Sequence, residues 1–197
     1  MPELKRVAVA CAIALLTLAA APAHAIVLTH VVGPMDNLYN LTAWPGSPFP
    51  PGNASEVGAP ARSVEDGGSP FDFSGYSSVD VSATGCIVDN GTQCTGPDGI
   101  PGSPFRLLDV YSLIGVWSST GSFITPIGNA FNIGSSETLS VPGGPAYLFL
   151  AENDGIFGDN TDGHYDVTIN AVPEPTSLSL LALGGALVAA RRRRRQA

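Results

Sequence analysis

Ser78-Val79-Asp80-Val81-Ser82-Ala83 alternates polar and apolar side chains with a period of two. In a strand successive side chains point to opposite faces, so this run reads as half-buried β structure with Val79, Val81 and Ala83 toward a core. Outward from it, similar short runs recur. Ile26 to Val32 is the first candidate strand; Asp109 to Trp117, Phe123 to Ile127, Glu137 to Val141, Tyr147 to Ala151 and Tyr165 to Asn170 follow. Gly, Pro, Asn or Asp punctuates every gap, and helical periodicity is nearly absent. Short strands spaced by turn residues predict an all-β fold, a sandwich or barrel of antiparallel strands.

One stretch breaks the pattern. From about 43 to 70 the chain is rich in Pro, Gly, Ser and small residues, which predicts a long irregular insertion on the domain. Gly-Ser-Pro-Phe occurs three times, at Gly46 to Phe49, Gly68 to Phe71 and Gly102 to Phe105. The unequal intervals exclude a solenoid, and each copy reads as a turn followed by an aromatic that plugs the core edge.

Both ends of the chain read as addresses and not as parts of the domain. Lys5 and Arg6 precede an apolar run from Val7 to Ala20, and Ala23-His24-Ala25 offers a small-x-small cleavage site. Residues 1–25 are therefore expected to be a secretory signal peptide, with the mature chain starting near Ile26. At the other end Val172-Pro173-Glu174-Pro175 leads into the uncharged block Leu178 to Ala190 and then Arg191 to Arg195. The prolines keep the backbone extended and open, the apolar block can become a single helix in lipid, and the arginines hold their end on the cytoplasmic side. This order resembles the PEP-CTERM sorting signal, handled by exosortase-type membrane enzymes. The resemblance covers about the last 25 residues and implies that Pro173, Glu174 and Pro175 form the sorting motif within a 171–197 signal. It also implies transient anchoring in the inner membrane through a transmembrane helix.

Between these signals the domain, 26–170, is strongly acidic. Fifteen of the 17 acidic residues lie between Ile26 and Val172, but only Arg62 and Arg106 of the nine basic ones, leaving a net charge near −13. Such a surface repels phosphate backbones, which excludes a nucleic-acid partner and suits divalent cations. Removing the signal peptide takes Cys11 with it, leaving Cys86 and Cys94, eight positions apart in a Gly-rich loop. In an oxidising compartment this pair reads as one disulfide.

The densest polar stretch is Glu152-Asn153-Asp154-Gly155-Ile156-Phe157-Gly158-Asp159-Asn160-Thr161-Asp162-Gly163, between two candidate strands. Hard oxygen donors without thiolates favour calcium over zinc or copper. An EF-hand is excluded, because Gly163 at the sixth loop position would put Gly158 first and Ile169 twelfth. The residues alone leave two readings open: a calcium loop, or an acidic hairpin held by Asx-turns without metal.

The stretch Val79 to Ile169 also resembles the LecA-type calcium lectins, whose fold is a jelly-roll β-sandwich. The resemblance rests on Ser82-Ala83-Thr84-Gly85, Thr95-Gly96-Pro97-Asp98-Gly99, Leu113-Ile114-Gly115-Val116-Trp117, Phe131-Asn132-Ile133-Gly134, and Leu148 to Asp154 leading into Asp159 to Gly163. It implies a jelly-roll-like antiparallel sandwich with calcium held by Asp154, Asp159 and Asn160. A carbonyl from Ile156 or Phe157 and another near Val88 or Asp89 would complete the shell. Sugar hydroxyls would then meet the ion beside Asp154 and Asn160, with His164 as a further sugar contact.

Catalysis is not expected. Only His30 and His164 remain after processing, and neither a Gly-x-Ser-x-Gly elbow nor a His-Glu-x-x-His helix occurs. Glu152 could serve a paired-carboxylate glycosidase, but no motif supports it. The sequence therefore points to an exported, exosortase-processed envelope or extracellular-matrix protein with a calcium-binding, carbohydrate-binding sandwich. The alternative is a structural or adhesive surface protein in which calcium only rigidifies a loop or is absent. The expected partners are an exosortase-type enzyme, the secretion machinery, and an exopolysaccharide or galactoside.

Overall fold

The computed structural model describes residues 25–39, 58–89 and 93–173, which form one compact unit, Ala25–Pro173. Residues 1–24 of the expected signal peptide lie outside the described residues. So do 40–57, with Trp44 and the first Gly-Ser-Pro-Phe, and 174–197, with Glu174, Pro175, the apolar block and the arginines. Among the described residues no helix is long and apolar enough to cross a membrane.

The described chain is all β. In order the strands are β1 (Ile26–Val32), β2 (Asp36–Asn37), β3 (Ala59–Pro60), β4 (Glu65–Asp66), β5 (Ser69–Pro70), β6 (Tyr76–Asp89) and β7 (Gln93–Thr95). Then come β8 (Asp98–Phe105), β9 (Leu108–Ser118), β10 (Phe131–Asn132), β11 (Ser136–Ser140), β12 (Tyr147–Glu152) and β13 (Asn160–Pro173), with one short 3₁₀ turn at Phe157–Asp159. The larger sheet runs β1-β13-β6-β11, with β7 also on β6; the second runs β10-β9-β12, with β8 also on β9. Both are antiparallel throughout.

Their sequences explain their different burial. In β6 and β13 the buried apolar residues fall on alternate positions: Val79, Val81 and Ala83, then Ile87 beyond the exposed Gly85, on one, and Tyr165, Val167, Ile169 and Ala171 on the other. These rows meet Leu113, Trp117, Leu148 and Leu150 from β9 and β12 in one core. Ile114, Val116, Phe149 and Ala151 face the other way and are covered by Leu38, Tyr39, Ala61 and Ile124. The second sheet is thus buried on both faces, which is why Leu113 to Trp117 and Leu148 to Ala151 are continuous apolar runs without alternation.

Three expectations are corrected. Phe123 to Ile127 is not a strand beyond a single bridge of Pro126 to Ser118. The Ser118 hydroxyl accepts from the Thr125 amide at 2.8 Å and the Thr120 amide at 3.2 Å, so a side chain captures donors that a ladder would use. The described part of the 43–70 stretch is not a loose insertion: Ala61, Ser63 and Val64 are buried, and the Val64 amide donates to the Leu148 carbonyl at 2.8 Å. Cys86 and Cys94 are disulfide-bonded, with Cα atoms 5.5 Å apart, but they sit on the paired strands β6 and β7 and not in a loop.

Two Gly-Ser-Pro-Phe copies lie within the described residues. Gly68 and Gly102 both have positive φ, and Phe71 and Phe105 pack on the two cores.

Candidate functional site

The inward rows of both sheets end in acids. Along β12, Leu148 and Leu150 face the space between the sheets, and strand alternation puts Glu152 next in that row. Along β6, Val79, Val81, Ala83 and Ile87 are followed at the same parity by Asp89. The β6–β13 register sets Asp89 opposite Asn160. Glycine permits that close approach. Gly163 has φ +95°, and a Cβ there would collide with the Cys86 carbonyl.

Glu152 is 0 % exposed and Asp154 3 %; Asp89, Asp159 and Asn160 are half-buried. The Asn160 amide nitrogen donates toward the Pro34 carbonyl at 2.8 Å, Glu152 Oε2 at 2.9 Å and Asp154 Oδ2 at 3.0 Å. The other oxygen of Asp154 accepts from the amides of Gly155 and Ile156. Four oxygens in this group are inaccessible to water and have no hydrogen-bond partner: Asp89 Oδ1, Glu152 Oε1, Asp159 Oδ1 and Asn160 Oδ1. Native interiors leave very few such atoms, and each costs roughly 1–3 kcal/mol.

Burial, followed by the neighbouring charges of Asp154 and Asp89, pushes the Glu152 carboxyl up to about 9. Burial also raises Asp154, opposed by the two amides on its oxygen. Tyr111 and Tyr165 are both raised, chiefly by burial. Taking a charge out of water favours its neutral form, and repulsion among the acids adds to the effect. Hard oxygen donors with orphaned lone pairs fit a hard cation such as calcium. Among the described residues no group of three or more His, Cys, Asp or Glu side chains stands ready to hold a metal ion. The Asn160 amide nitrogen lies between the Glu152 and Asp154 oxygens and donates to both.

One residue with a strained backbone adjoins the cluster. Tyr111 has φ +61°, a conformation disfavoured for a bulky residue. Its amide donates to the Asn153 carbonyl at 2.7 Å, its carbonyl accepts from the Tyr165 hydroxyl at 2.6 Å, and its phenol donates to Asp89. Asn153 is buried on the opposite side of the strand path. It accepts from the Tyr39 hydroxyl and donates to the carbonyls of Phe105, Leu108 and Asp109, holding the β8–β9 turn.

Of the residues singled out in the sequence, Asp89, Asp154, Asp159 and Asn160 come together. Phe157 sits beside them with its side chain fully buried. His164 does not join them. It lies opposite Cys86 on the outer face of β13, half-exposed, with its Nε2 3.4 Å from Asp166. Pro173 is the last residue of β13, opposite Tyr76 and far along the strand from this cluster.

Sequence reasoning did not assign Glu152, Tyr111 or the Pro34 carbonyl to the site. Carrying the Leu148, Leu150 alternation one step further would have found Glu152. Nothing in the sequence marks a left-handed tyrosine.

Compared with known protein families, residues 171–195 match the PEP-CTERM protein-sorting motif. The match begins inside β13, so Ala171, Val172 and Pro173 belong both to the sheet and to the motif. No curated protein matches the chain. The motif suggests an exported, membrane-anchored precursor recognised by an exosortase.

Proposed function

We propose that this is an exported, exosortase-sorted surface protein that acts by binding, with a calcium site where β6, β12 and β13 meet, and that it has no catalytic activity. Its signal peptide would be removed near Ile26. It would then be held at the inner membrane by its C-terminal apolar helix until processing at Pro173-Glu174-Pro175 delivers it to the envelope or matrix. The observation that carries the calcium reading is the set of four orphaned oxygens on Asp89, Glu152, Asp159 and Asn160. The burial of Glu152 and Asp154 favours an ion that rigidifies the protein.

A second reading keeps the carbohydrate ligand and the jelly-roll lectin likeness. It is favoured by the half-buried Asp159 and Asn160 and the exposed Gly158, which leave one side of the cluster within reach of sugar hydroxyls. The outward position of His164 counts against it as a sugar contact.

Calcium titration of the full chain in detergent, followed by a glycan array with and without calcium, tests both readings. The expected result is saturable binding of one ion that raises the unfolding temperature. Absence of any calcium binding would sink the proposal, whereas calcium binding without any glycan would leave the structural reading alone.

A further inference from the structure

Independently of any metal, we infer that the free edge of β1 docks onto the same edge of a second copy, the two strands pairing antiparallel about a two-fold axis at Thr29. β1 has seven residues, Ile26–Val32, and is laddered to β13 on one side. Among the described residues no other backbone group pairs with it. An open edge offers a row of amides and carbonyls to any strand that can reach it, and proteins usually guard such edges.

The other edges are guarded. β11 is shorter, Ser136–Ser140, and exposed Glu137 stands in the inward row with Leu139, a charge placed where a docking strand would bury it. In the second sheet β10 is two residues long, and Ser63 and Val64 cover β12. β1 carries no such device. Ile-Val-Leu-Thr-His-Val-Val contains no Lys, Pro, Gly or acid, and no bulge interrupts its register with β13. On its outer face Val27 is 63 % exposed and Val31 49 %, and Val172 of β13 adds a third exposed apolar group on that face.

The residue order in β1 says which strand fits. About Thr29 it has the same character in both directions: Leu28 and His30 one step away, Val27 and Val31 two, Ile26 and Val32 three. An antiparallel copy centred there sets Val27 opposite Val31 twice on the outer face, and Ile26 opposite Val32 twice on the inner one. Such β-branched cross-strand pairs are what hold neighbouring strands together. No acid lies in this seam, so the domain's negative charge is not brought face to face there.

Other parts of the chain suit the edge poorly. Residues 40–57 include Pro45, Pro48, Pro50 and Pro51, none of which can donate to a ladder, and 174–197 open with Glu174-Pro175 before a block suited to lipid. Two seven-residue edges meet over a strip about 23 Å long and about 10 Å deep. That buries on the order of 500 Å² in all, against about 1,200 Å² for a stable complex. The pair is therefore a weak one that fills where chains are crowded. Being isologous, it closes at two copies and does not grow into a fibre.

The test is sedimentation of the full chain in detergent at rising concentration, as wild type, Thr29→Glu and Ser136→Glu. Thr29 and Ser136 are exposed on the β1 and β11 edges, so each variant adds the same charge without entering a core. The inference expects dimers of wild type and Ser136→Glu, and about fivefold weaker association of Thr29→Glu, whose carboxylates meet at the axis. Oxidative cross-linking in a Cys11→Ser background reads the register. Thr29→Cys should link to itself. Val27→Cys should not, since its twin lies about 13 Å away along the strand, but a mixture of Val27→Cys and Val31→Cys chains should. A wild type that stays monomeric at its highest soluble concentration overturns the inference, as does association that Thr29→Glu leaves intact. Linking of Thr29→Cys to Ser136→Cys chains overturns it in favour of head-to-tail pairing of β1 with β11. Should Thr29→Glu fail to fold, cross-linking decides: equal linking of Thr29→Cys and Val27→Cys, or none, overturns the pairing. These readouts do not involve calcium, so they stand or fall apart from the metal reading.

Discussion

The two ends of β13 are made of opposite materials. At Ile169 to Ala171 the strand is paired on both sides, to β1 from Ile26 and to β6 from Val79, with Ile169 and Ala171 fully buried. About 30–35 Å away along the same strand, Asn160 sits among buried carboxylates, orphaned oxygens and a left-handed tyrosine. The first end is what stability alone would build. The second departs from that rule in several independent ways at one place, and such departures gather where a protein does something besides fold. That difference, more than the presence of acids, is what marks the site.

The largest effect should come from the paired end. Ile169→Ala empties a fully buried position and should cost about 2–5 kcal/mol in urea unfolding. The loss should be the same in calcium and in chelator. If chelation changed it, the two ends would not be separable.

Next is the Cys86–Cys94 bridge, whose partners are eight residues apart. Replacing both by Ala should cost about 2–3 kcal/mol by the chain-entropy argument. Thermal unfolding with and without reductant checks this, and the variant should be insensitive to reductant.

The smallest effect per pH unit is a pair of slopes of opposite sign, each at most about 1.4 kcal/mol. Burial first, then the Arg62 charge, lowers His30 from 6.5 to about 4. The unfolded chain then binds more protons between those values, so stability should fall as pH drops from about 6.5 to 4. Glu152 behaves in reverse when no cation is present. Its folded value is raised from 4.5 to about 9, the folded chain holds the extra proton, and stability should fall as pH climbs through that window. Unfolding temperature against pH in chelator should show His30→Gln flattening the acid slope and Glu152→Gln the neutral-to-alkaline one. Calcium should abolish the second slope and leave the first.

Much of the architecture was legible because strand sequences declare their burial. Ile26 to Val32 coincides with β1, and Ser78 to Ala83, Asp109 to Trp117, Glu137 to Val141, Tyr147 to Ala151 and Tyr165 to Asn170 each fall on or largely within a strand. What stayed hidden has physical reasons. β8 contains Gly99, Pro101, Gly102 and Pro104, so its composition reads as turn even though it pairs with β9. Phe123 to Ile127 has strand-like residues, but the Ser118 hydroxyl takes the Thr125 amide and only the Pro126–Ser118 bridge forms.

At the site, Asp154, Asp159 and Asn160 were visible as neighbours in sequence. Glu152 was visible in the same run yet lacked a role, because its importance comes from parity with Leu150. Pro34 and Tyr111 enter only through register and a backbone angle, which no local pattern carries.

The strand order has one more consequence, for timing. Among the described residues β13 is the last strand, and it lies between β1, the first of them, and β6. A chain delivered from its N-terminus cannot close this sheet until β13 is free to dock, so β1 must wait for its partner while β6 can already pair with β7 and β11. High contact order of that kind slows folding. Under the proposed export route such a delay would be an asset, because it would keep the thread loose enough for a translocation channel.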